Sequence, residues 1–434
     1  MAYLCHICII LIFVSSLNAQ DRWSLMDTWN TLLENNYKIK AQNNLIRQSE
    51  TDISRSRALF FPQLFATSSY RYQSEVAEFE LPFSGADKIQ AGTNSQYDIA
   101  LNLSQPVFTG FRTINLLRSS AVQLELYTTT DEILKQQLML RAGLLYYDIQ
   151  KNKLQELTLL ASLRRAENQL IRIRNLRDAK QATAFDTLET ANRKFEIQNS
   201  IDALRDYREI LCAQLSDLIH IDKIPELAPL DLLFKDTSIR TLADWQKIAM
   251  HYRKELKRLD KTRELQNHQT DIQRSNYFPH IYANASYHYA RPGVNFFVDE
   301  WMNYYTIGVQ LEWNLWNWKR DALSVQKSVL EERRIELSRS ELEINIRNEV
   351  RQAYLQTLTA TKQVQLQEQL VQLEEERYRI TNERFEQGLT TILDVNSAEE
   401  SLTSAQLQLQ QNIINWYTAK LRLAYAVGDI LSVN

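Results

Sequence analysis

Hydrophobic and polar positions follow two periods along this chain, and both periods return about half a chain later. The first period is a strict alternation in four short segments: "LFATSSYRY" from Leu64, "YDIALNLS" from Tyr97, "IYANASYHY" from Ile281 and "YTIGVQLEW" from Tyr305. Alternation of this kind predicts β-strands with one apolar face. We expect the strands at about 59–72, 95–105, 280–291 and 304–314.

The second period is helical and runs through much longer stretches. It is clear in one run of residues spaced by four: Leu342, Ile346, Val350 and Tyr354. This spacing is close to that of coiled coils. No proline lies between Pro106 and Pro225 or after Pro292. Proline breaks helix interiors, so these two stretches can form uninterrupted helices. We expect long helices within about 113–220 and 321–428, packed side by side.

From Tyr97 onward, the two halves of the chain align at a constant separation of 208 residues. The matched pairs are Tyr97 and Tyr305, Ile99 and Ile307, Leu103 and Leu311, Arg112 and Arg320, Tyr146 and Tyr354, Thr183 and Thr391, and Asp186 and Asp394. Each half reads helix, strand, loop, strand, very long helix, tight turn and long helix. We therefore predict two tandem repeats at 20–221 and 246–434, joined by a linker at 222–245 that could form an equatorial collar.

Each tight turn carries a signature for the start of a helix. In Thr183-x-x-Asp186 and Thr391-x-x-Asp394, the threonine oxygen and the acid both serve free backbone N–H groups. Gly388 stands where the preceding helix would end, and glycine accepts the positive φ of such an end. Each half should therefore finish in an antiparallel helical hairpin with its tip far from the strands.

The first residues predict export from the cytoplasm. Residues 1–19 are an apolar run that ends in Leu17-Asn18-Ala19, which is typical of a cleaved secretory signal peptide. The run is shorter than the roughly 20 residues that span a bilayer comfortably. Two of the three cysteines would leave with it, and we assign no role to the remaining Cys212.

Composition and motifs argue against catalysis. The net charge of −3 favours no nucleic-acid partner, and the histidines form neither HExxH nor a Cys/His metal pattern. We expect no enzyme activity, no metal and no cofactor. Carboxylates alternate with Lys and Arg as they do on solvated helical faces. We interpret the basic run "RRAENQLIRIRNLRDAK" from Arg164 as a solvated face as well.

The strands alone leave two architectures open. A soluble sheet packed on a core would alternate in this way, but so would membrane barrel strands, which are about 9–11 residues long with aromatic ends. The long helices favour the barrel. An open sheet cannot cross a bilayer, because its edges would face lipid unpaired. Four strands per chain therefore need further copies of the chain to close a barrel. Two copies would supply eight strands and three would supply twelve, and these considerations do not decide between the two numbers.

Several segments resemble the TolC-type outer membrane efflux proteins. They are "FFPQL" and "YFPHI" before strands, "LSQPVFTGFR" after one, and "ERFEQGLTTILDV" with the helix that follows. The resemblance implies an α+β membrane protein and a homotrimer, with one 12-stranded outer-membrane β-barrel continuous with a 12-helix periplasmic α-barrel. It also implies a passive exit duct of a tripartite efflux pump or a type I secretion system. The implied partners are outer membrane lipid, a periplasmic adaptor (membrane fusion) protein and an inner-membrane transporter.

The same resemblance implies functional positions. Asp394 matches the first acid of a periplasmic aperture, and Ser397 stands where a second acid would be expected. Phe385 and Thr390 stand where some relatives carry a tyrosine and an arginine that lock the closed state. Asp394 also fits a simple capping role, which is compatible with the aperture, and for Asp186 we favour capping alone.

Adaptor contact is implied for both hairpin tips, at Gln181, Ala182, Thr183, Gly388, Leu389 and Thr390. One alternative function is a soluble periplasmic coiled-coil scaffold. A general porin is a weaker alternative, because it would need many more strands per chain. The exported substrate, whether drug, metal ion or polypeptide, does not follow from these residues.

Overall fold

A computed structural model describes residues 22–79, 89–230 and 240–433. The predicted signal peptide and residues 231–239 of the predicted linker lie outside these ranges. The α-helices within them are α1 (Leu25–Asn35), α2 (Tyr37–Ala58), α3 (Arg112–Asp178), α4 (Ala184–Ile219), α5 (Leu242–Tyr252), α6 (Lys254–Arg274), α7 (Arg320–Glu386) and α8 (Ile392–Val427). The strands are β1 (Gln63–Tyr72), β2 (Ala77–Phe79), β3 (Ile89–Ala91), β4 (Ser95–Thr109), β5 (His280–Arg291) and β6 (Met302–Glu312).

The chain divides into two compact units. The sheet unit comprises Ala41–Ile133 and Arg253–Asn345, and the helical unit comprises Met1–Lys40, Leu134–Tyr252 and Ile346–Asn434. None of the helices in the described ranges combines the length and apolar character needed to cross a membrane.

The sheet unit contains a four-stranded antiparallel sheet in the order β1-β4-β5-β6. β1 was expected from about residue 59 but begins at Gln63, after a turn and Pro62, which has no N–H to donate to a neighbouring strand. β4 runs to Thr109, beyond the expected end near residue 105, and its register shifts between Pro106 and Phe108. β6 ends at Glu312, so the expected strand loses its last two residues.

The sheet has one apolar face and one polar face. The apolar face aligns across all four strands: Leu64 lies opposite Leu103, Leu103 opposite Ala285, and Ala285 opposite Ile307. On β6, Tyr305, Ile307 and Val309 are 75%, 79% and 74% exposed within this chain. The outer edges of β1 and β6 pair with no strand of the described chain.

Hydrogen bonds between side chains join neighbouring strands on the polar face. Asn102 donates to the hydroxyl of Thr67 at 3.0 Å, and the hydroxyl of Ser286 donates to Asn102 at 2.7 Å. His288 Nδ1 lies 3.0 Å from an oxygen of Asp98. These contacts span β1, β4 and β5, so the polar face has a fixed register.

The helical unit is held by a core between its N-terminal helix and the long helices. Its fully buried side chains include Trp29 and Leu32 of α1, Leu215 and Ile219 of α4, and Leu421 of α8. The indole N–H of Trp29 donates to the carbonyl of Met139 in α3 at 2.9 Å. Burial of this kind contributes about 25 cal/mol for each Å² of apolar surface removed from water.

The corresponding long helices of the two halves have equal lengths. α3 and α7 contain 67 residues each, and α4 and α8 contain 36 each, with starts and ends 208 residues apart. Positive φ angles occur in pairs at the same separation: Gly110 and Trp318, Phe111 and Lys319, Lys180 and Gly388, and His220 and Gly428. The backbone turns therefore occur at equivalent places in both halves.

Gly143 lies inside α3, where glycine costs about 0.5–1 kcal/mol relative to alanine. A Cβ at this position would lie 2.6 Å from Cδ2 of Leu421, which is fully buried in α8. The missing side chain therefore allows α8 to pack closely against α3.

We expect Gly143→Val to destabilise the protein by about 1–3 kcal/mol, because it overpacks a dense contact. Gly308→Val is the matched control, since no atom lies within 4 Å of a Cβ built there. Thermal unfolding followed by far-UV circular dichroism checks both variants. Equal unfolding temperatures for Gly143→Val and the wild type would contradict the close contact.

Candidate functional site at the helical hairpin tips

Both hairpin turns have the same backbone conformation. Lys180 and Gly388 have φ angles of 62° and 72°, and each occupies the position just after its helix. The next residues, Gln181 and Leu389, donate their N–H groups to carbonyls five residues back, at 2.8 and 2.9 Å. This is the Schellman pattern that ends a helix. A Cβ on Gly388 would meet open space, so the backbone angle alone favours glycine there.

The predicted capping boxes are present in both hairpins. Thr391 donates to Oδ2 of Asp394 through its N–H at 3.0 Å and its hydroxyl at 2.7 Å, and Asp394 N–H donates back to that hydroxyl. The hydroxyl of Thr390 adds a bond of 2.6 Å to the same oxygen. The first hairpin has Ala182 in the equivalent position, so Asp186 lacks this additional donor.

The donors around Asp394 keep its carboxyl group charged. Hydrogen bonds from the Thr390 hydroxyl, the Thr391 hydroxyl and the Thr391 N–H lower the pKa of Asp394 from 3.8 to about 2. The carboxylate is nevertheless exposed to solvent. Asp394 therefore caps α8 and still presents a permanent negative charge at neutral pH.

Asp394 and Ser397 begin a polar stripe on α8, whose members are spaced by three and four residues and none of which is buried. The stripe consists of Asp394, Ser397, Ser401, Ser404, Gln408, Gln411 and Asn415. Positions three and four apart lie on one face of a helix. Asp394 is the one charged member, so this face is polar but almost uncharged.

Phe385 and Thr390, at the implied lock positions, make local contacts. Phe385 packs against an apolar tip cluster in which Ile173, Ile392 and Val395 are buried. Thr390 donates to Asp394 as described. Neither contact resembles a tyrosine–arginine lock, in keeping with the residue types at these positions.

The implied adaptor-contact residues lie at the tips as expected from the turns. Gln181, Thr183, Gly388 and Leu389 are exposed, and Ala182 and Thr390 are half-buried. Large apolar side chains surround them: Phe185, Leu188, Leu389 and Leu393 are all more than half exposed. The two tips therefore present an apolar surface that no described residue of the helical unit covers.

A buried ionic cluster near the tips was missed by the sequence interpretation. Glu399 of α8 accepts from the Ser162 hydroxyl at 2.6 Å, from Arg165 at 3.0 Å and from the Thr403 hydroxyl at 2.7 Å. Arg193 of α4 lies 3.5 Å from its other oxygen. We call these residues the hairpin clamp, because they join both helices of the first hairpin to α8.

The clamp corrects part of the interpretation of the basic run as a solvated face. Arg165 belongs to the clamp, and Arg172 donates to Glu386 of α7 at 2.8 Å. Both arginines therefore bind carboxylates of the second hairpin. The spacing of seven residues between them was a signal, because it places them on one side of α3.

No group of three or more His, Cys, Asp or Glu in the described ranges is arranged to hold a metal ion. The half-buried thiol of Cys212 is unreactive in character, because burial raises its pKa.

The sequence of this chain is similar to those of known proteins. Residues 246–429 match the family model described as outer membrane efflux protein. The alkaline protease secretion protein AprF of Pseudomonas aeruginosa is 24% identical over 252 residues, covering 57% of this chain and 52% of that protein. The chain thus spans about half the length of this relative.

Solved structures share the whole fold. A structure of CusC superimposes with a TM-score of 0.78 at 13% identity, covering 93% of this chain and 92% of that one. The open state of the MtrE outer membrane channel of Neisseria gonorrhoeae gives 0.76 at 14% identity, covering 94% and 89%. The resemblance predicted from the sequence is confirmed.

We expect Glu399→Ala to destabilise the protein by about 3–5 kcal/mol, because it leaves two arginines facing a buried site without their carboxylate. Glu386→Ala is the control; Glu386 is about half exposed, and such surface pairs contribute about 0–1 kcal/mol. Thermal unfolding measures both effects. A Glu399→Ala variant as stable as Glu386→Ala would show that the clamp does not hold the hairpins.

Proposed function

We propose that this chain, a member of the outer membrane efflux protein family, is the outer-membrane exit duct of an export system. The observation that carries the proposal is the open sheet of the sheet unit, which has an uncovered apolar face and two unpaired edges. A bilayer would cover the apolar face. It would not tolerate the edges, because each unpaired N–H or C=O in hydrocarbon costs several kcal/mol.

Further copies of the chain remove the edges. β1 of one copy can pair with β6 of the next, and three copies then close a ring of twelve strands. Two copies would give only eight strands, and the family resemblance selects three. Aromatic side chains support the membrane position, since Tyr70, Tyr97, Trp301 and Tyr289 form contacting rings 4.6–5.8 Å apart at one end of the sheet.

The long helix α7 supports the same assembly. Its exposed apolar residues repeat every seven positions, with Leu323, Leu330, Leu337 and Ile344 in the sheet unit and Leu366, Leu373 and Ile380 in the helical unit. A spacing of seven is that of a coiled-coil seam, which another helix must cover. We propose that helices of the neighbouring copy cover this seam and that twelve long helices enclose a periplasmic tunnel.

The polar stripe of α8 supplies the inner surface of that tunnel. Asp394 would then place one acid per chain at the periplasmic aperture, with Ser397 beside it. The exposed apolar tips would receive a periplasmic adaptor protein, which links the duct to an inner-membrane transporter. Transport would be passive in the duct itself and driven by the transporter, in a tripartite pump or a type I secretion system.

We also propose that the chain consists of two repeats, at 20–221 and 246–434. Equal helix lengths and paired positive φ angles support this division. The described part of the 222–245 linker packs against the helical unit, where Trp23 N–H donates to the carbonyl of Glu226 at 2.9 Å and Leu227 is buried. This contact supports a collar on the outside of the helices.

The paired edges predict a specific cross-link between copies. Thr67 of β1 and Gly308 of β6 both lie on the polar face, near the middle of opposite edge strands. In a Cys212→Ser background, Thr67→Cys/Gly308→Cys should form covalent dimers and trimers with a short bismaleimide. Each single-cysteine variant is the control and should remain monomeric on denaturing gels. Absence of trimers in the double variant would contradict the ring.

The proposed aperture predicts that substitution of Asp394, but not of Asp186, changes conductance. Both Asp186 and Asp394 cap a helix, so Asp186→Asn reproduces the loss of a cap without touching the α8 stripe. We expect Asp394→Asn, but not Asp186→Asn, to raise leak conductance or weaken cation block in planar bilayers. Because the pKa of Asp394 is about 2, wild-type block should be constant from pH 7 to about pH 3 and decline only below it. Equal currents in both variants would exclude the aperture role.

A substitution at Gly388 should impair adaptor docking without preventing folding. Gly388→Lys copies Lys180, which already adopts the same backbone angle in the first hairpin. The variant should therefore still form trimers, at a cost of about 1 kcal/mol for the left-handed angle. We expect reduced adaptor co-purification and reduced export. Full export by a trimeric Gly388→Lys protein would remove Gly388 from the docking surface.

A further inference from the structure

We propose that the connection between β6 and α7 binds the head groups of anionic phospholipids at the rim of the apolar face. We call residues 313–320 the tryptophan connection; its relevant side chains are Trp313, Trp316, Trp318, Lys319 and Arg320. The inference rests on the proposed function, because it requires the sheet to lie in a bilayer.

Two of the three indoles of this connection are largely exposed, whereas the Trp313 N–H donates to the carbonyl of Tyr277 at 3.2 Å. Trp316 and Trp318 are 69% and 84% exposed. Their rings touch each other edge-on, with centroids 5.9 Å apart, and contact no other ring of the described residues. Tryptophan has an apolar body and one N–H donor, which is why it collects at membrane–water interfaces.

The aromatic side chains of the equivalent connection in the first half pack differently. The equivalent residues 208 positions earlier include Phe108 and Phe111, at the same end of the sheet. Phe111 packs edge-on against Phe108 and Phe278, at 5.4 and 5.7 Å. Phe111 is 56% exposed but packs against two other rings, whereas Trp316 and Trp318 are more exposed and contact only each other among the rings of the described residues.

Backbone strain gives an independent indication at Trp318. Its φ is 56°, and the equivalent residue of the first half is Gly110, with a φ of 59°. A left-handed angle strains a residue that carries a side chain, and glycine avoids this strain. The chain carries a tryptophan at a position suited to glycine, so the indole must contribute elsewhere.

Two cations follow the indoles directly. Lys319 is exposed and forms no ion pair among the described residues. The Arg320 Nε lies 4.0 Å from an oxygen of Asp321, which also accepts from Asn317, so Arg320 keeps most of its donors free. Cations beside an apolar rim match the phosphates of anionic lipids, which attract each Lys or Arg by about 1 kcal/mol.

A second copy of the chain is the rival occupant, since β1 of the neighbour would enter beside this connection. The residues that precede β1 are Arg57, Ala58, Leu59, Phe60 and Phe61. They offer apolar contact but a positive charge and no acid. A lipid phosphate complements Lys319 and Arg320, whereas Arg57 would repel them, so the charges favour lipid.

Native mass spectrometry of the detergent-solubilised full chain tests this, with phosphatidylglycerol and phosphatidylcholine added separately. We expect tighter binding of phosphatidylglycerol by the wild type. Lys319→Gln/Arg320→Gln should weaken that binding at least about fivefold and leave phosphatidylcholine unchanged. Trp316→Ala/Trp318→Ala should weaken both lipids. The charge-matched control is Lys362→Gln/Arg422→Gln, two exposed cations of the helical unit, which should behave as the wild type.

Unchanged phosphatidylglycerol binding in Lys319→Gln/Arg320→Gln would overturn the proposal. So would a Trp316→Ala/Trp318→Ala protein that falls apart into monomers with its lipid binding intact, since the indoles would then contact a second copy. Both results leave the duct itself standing. A wild type that is monomeric and binds neither lipid would instead contradict the proposed function together with this inference.

Discussion

Inside a bilayer, every backbone N–H and C=O must find a hydrogen-bond partner within protein, and this requirement governs the whole molecule. The sheet satisfies it between β1, β4, β5 and β6 but not along the two outer edges. The exposed apolar residues of α7 also need a partner, because they repeat every seven positions and no helix within residues 22–79, 89–230 and 240–433 covers them. The proposed ring of identical copies would satisfy both surfaces with one symmetric, head-to-tail contact.

The helical tips have well-defined turns and exposed side chains. Capping boxes and Schellman turns fix the two tips in the same way. The hairpin clamp then joins the first hairpin to α8 through Glu399 and two arginines. The second tip has one more hydrogen bond in its capping box than the first. Thr390 stands where the first tip has an alanine, and its hydroxyl donates to Asp394. Asp394 therefore caps α8 and also stays negatively charged at neutral pH.

Local features were readable from the sequence, and long-range pairings were not. Periods of two and of three to four predict strands and helices because each depends only on near neighbours, and Thr391-x-x-Asp394 predicted its capping box for the same reason. The start of β1 was misplaced because Pro62 overrides the alternation around it. Arg165 and Arg172 were interpreted as part of a solvated face and Glu399 was missed, since their pairing depends on which helices become neighbours. The positive φ of Trp318 could not be predicted, because nothing in the sequence marks a tryptophan as left-handed.

The number of copies in the purified protein tests the central claim most directly. The mass of the detergent-solubilised, mature chain should correspond to three copies, held together without covalent bonds and dependent on detergent for solubility. A monomer that is stable in water without detergent would contradict the account, because a single chain would then tolerate its open sheet edges and its uncovered apolar face.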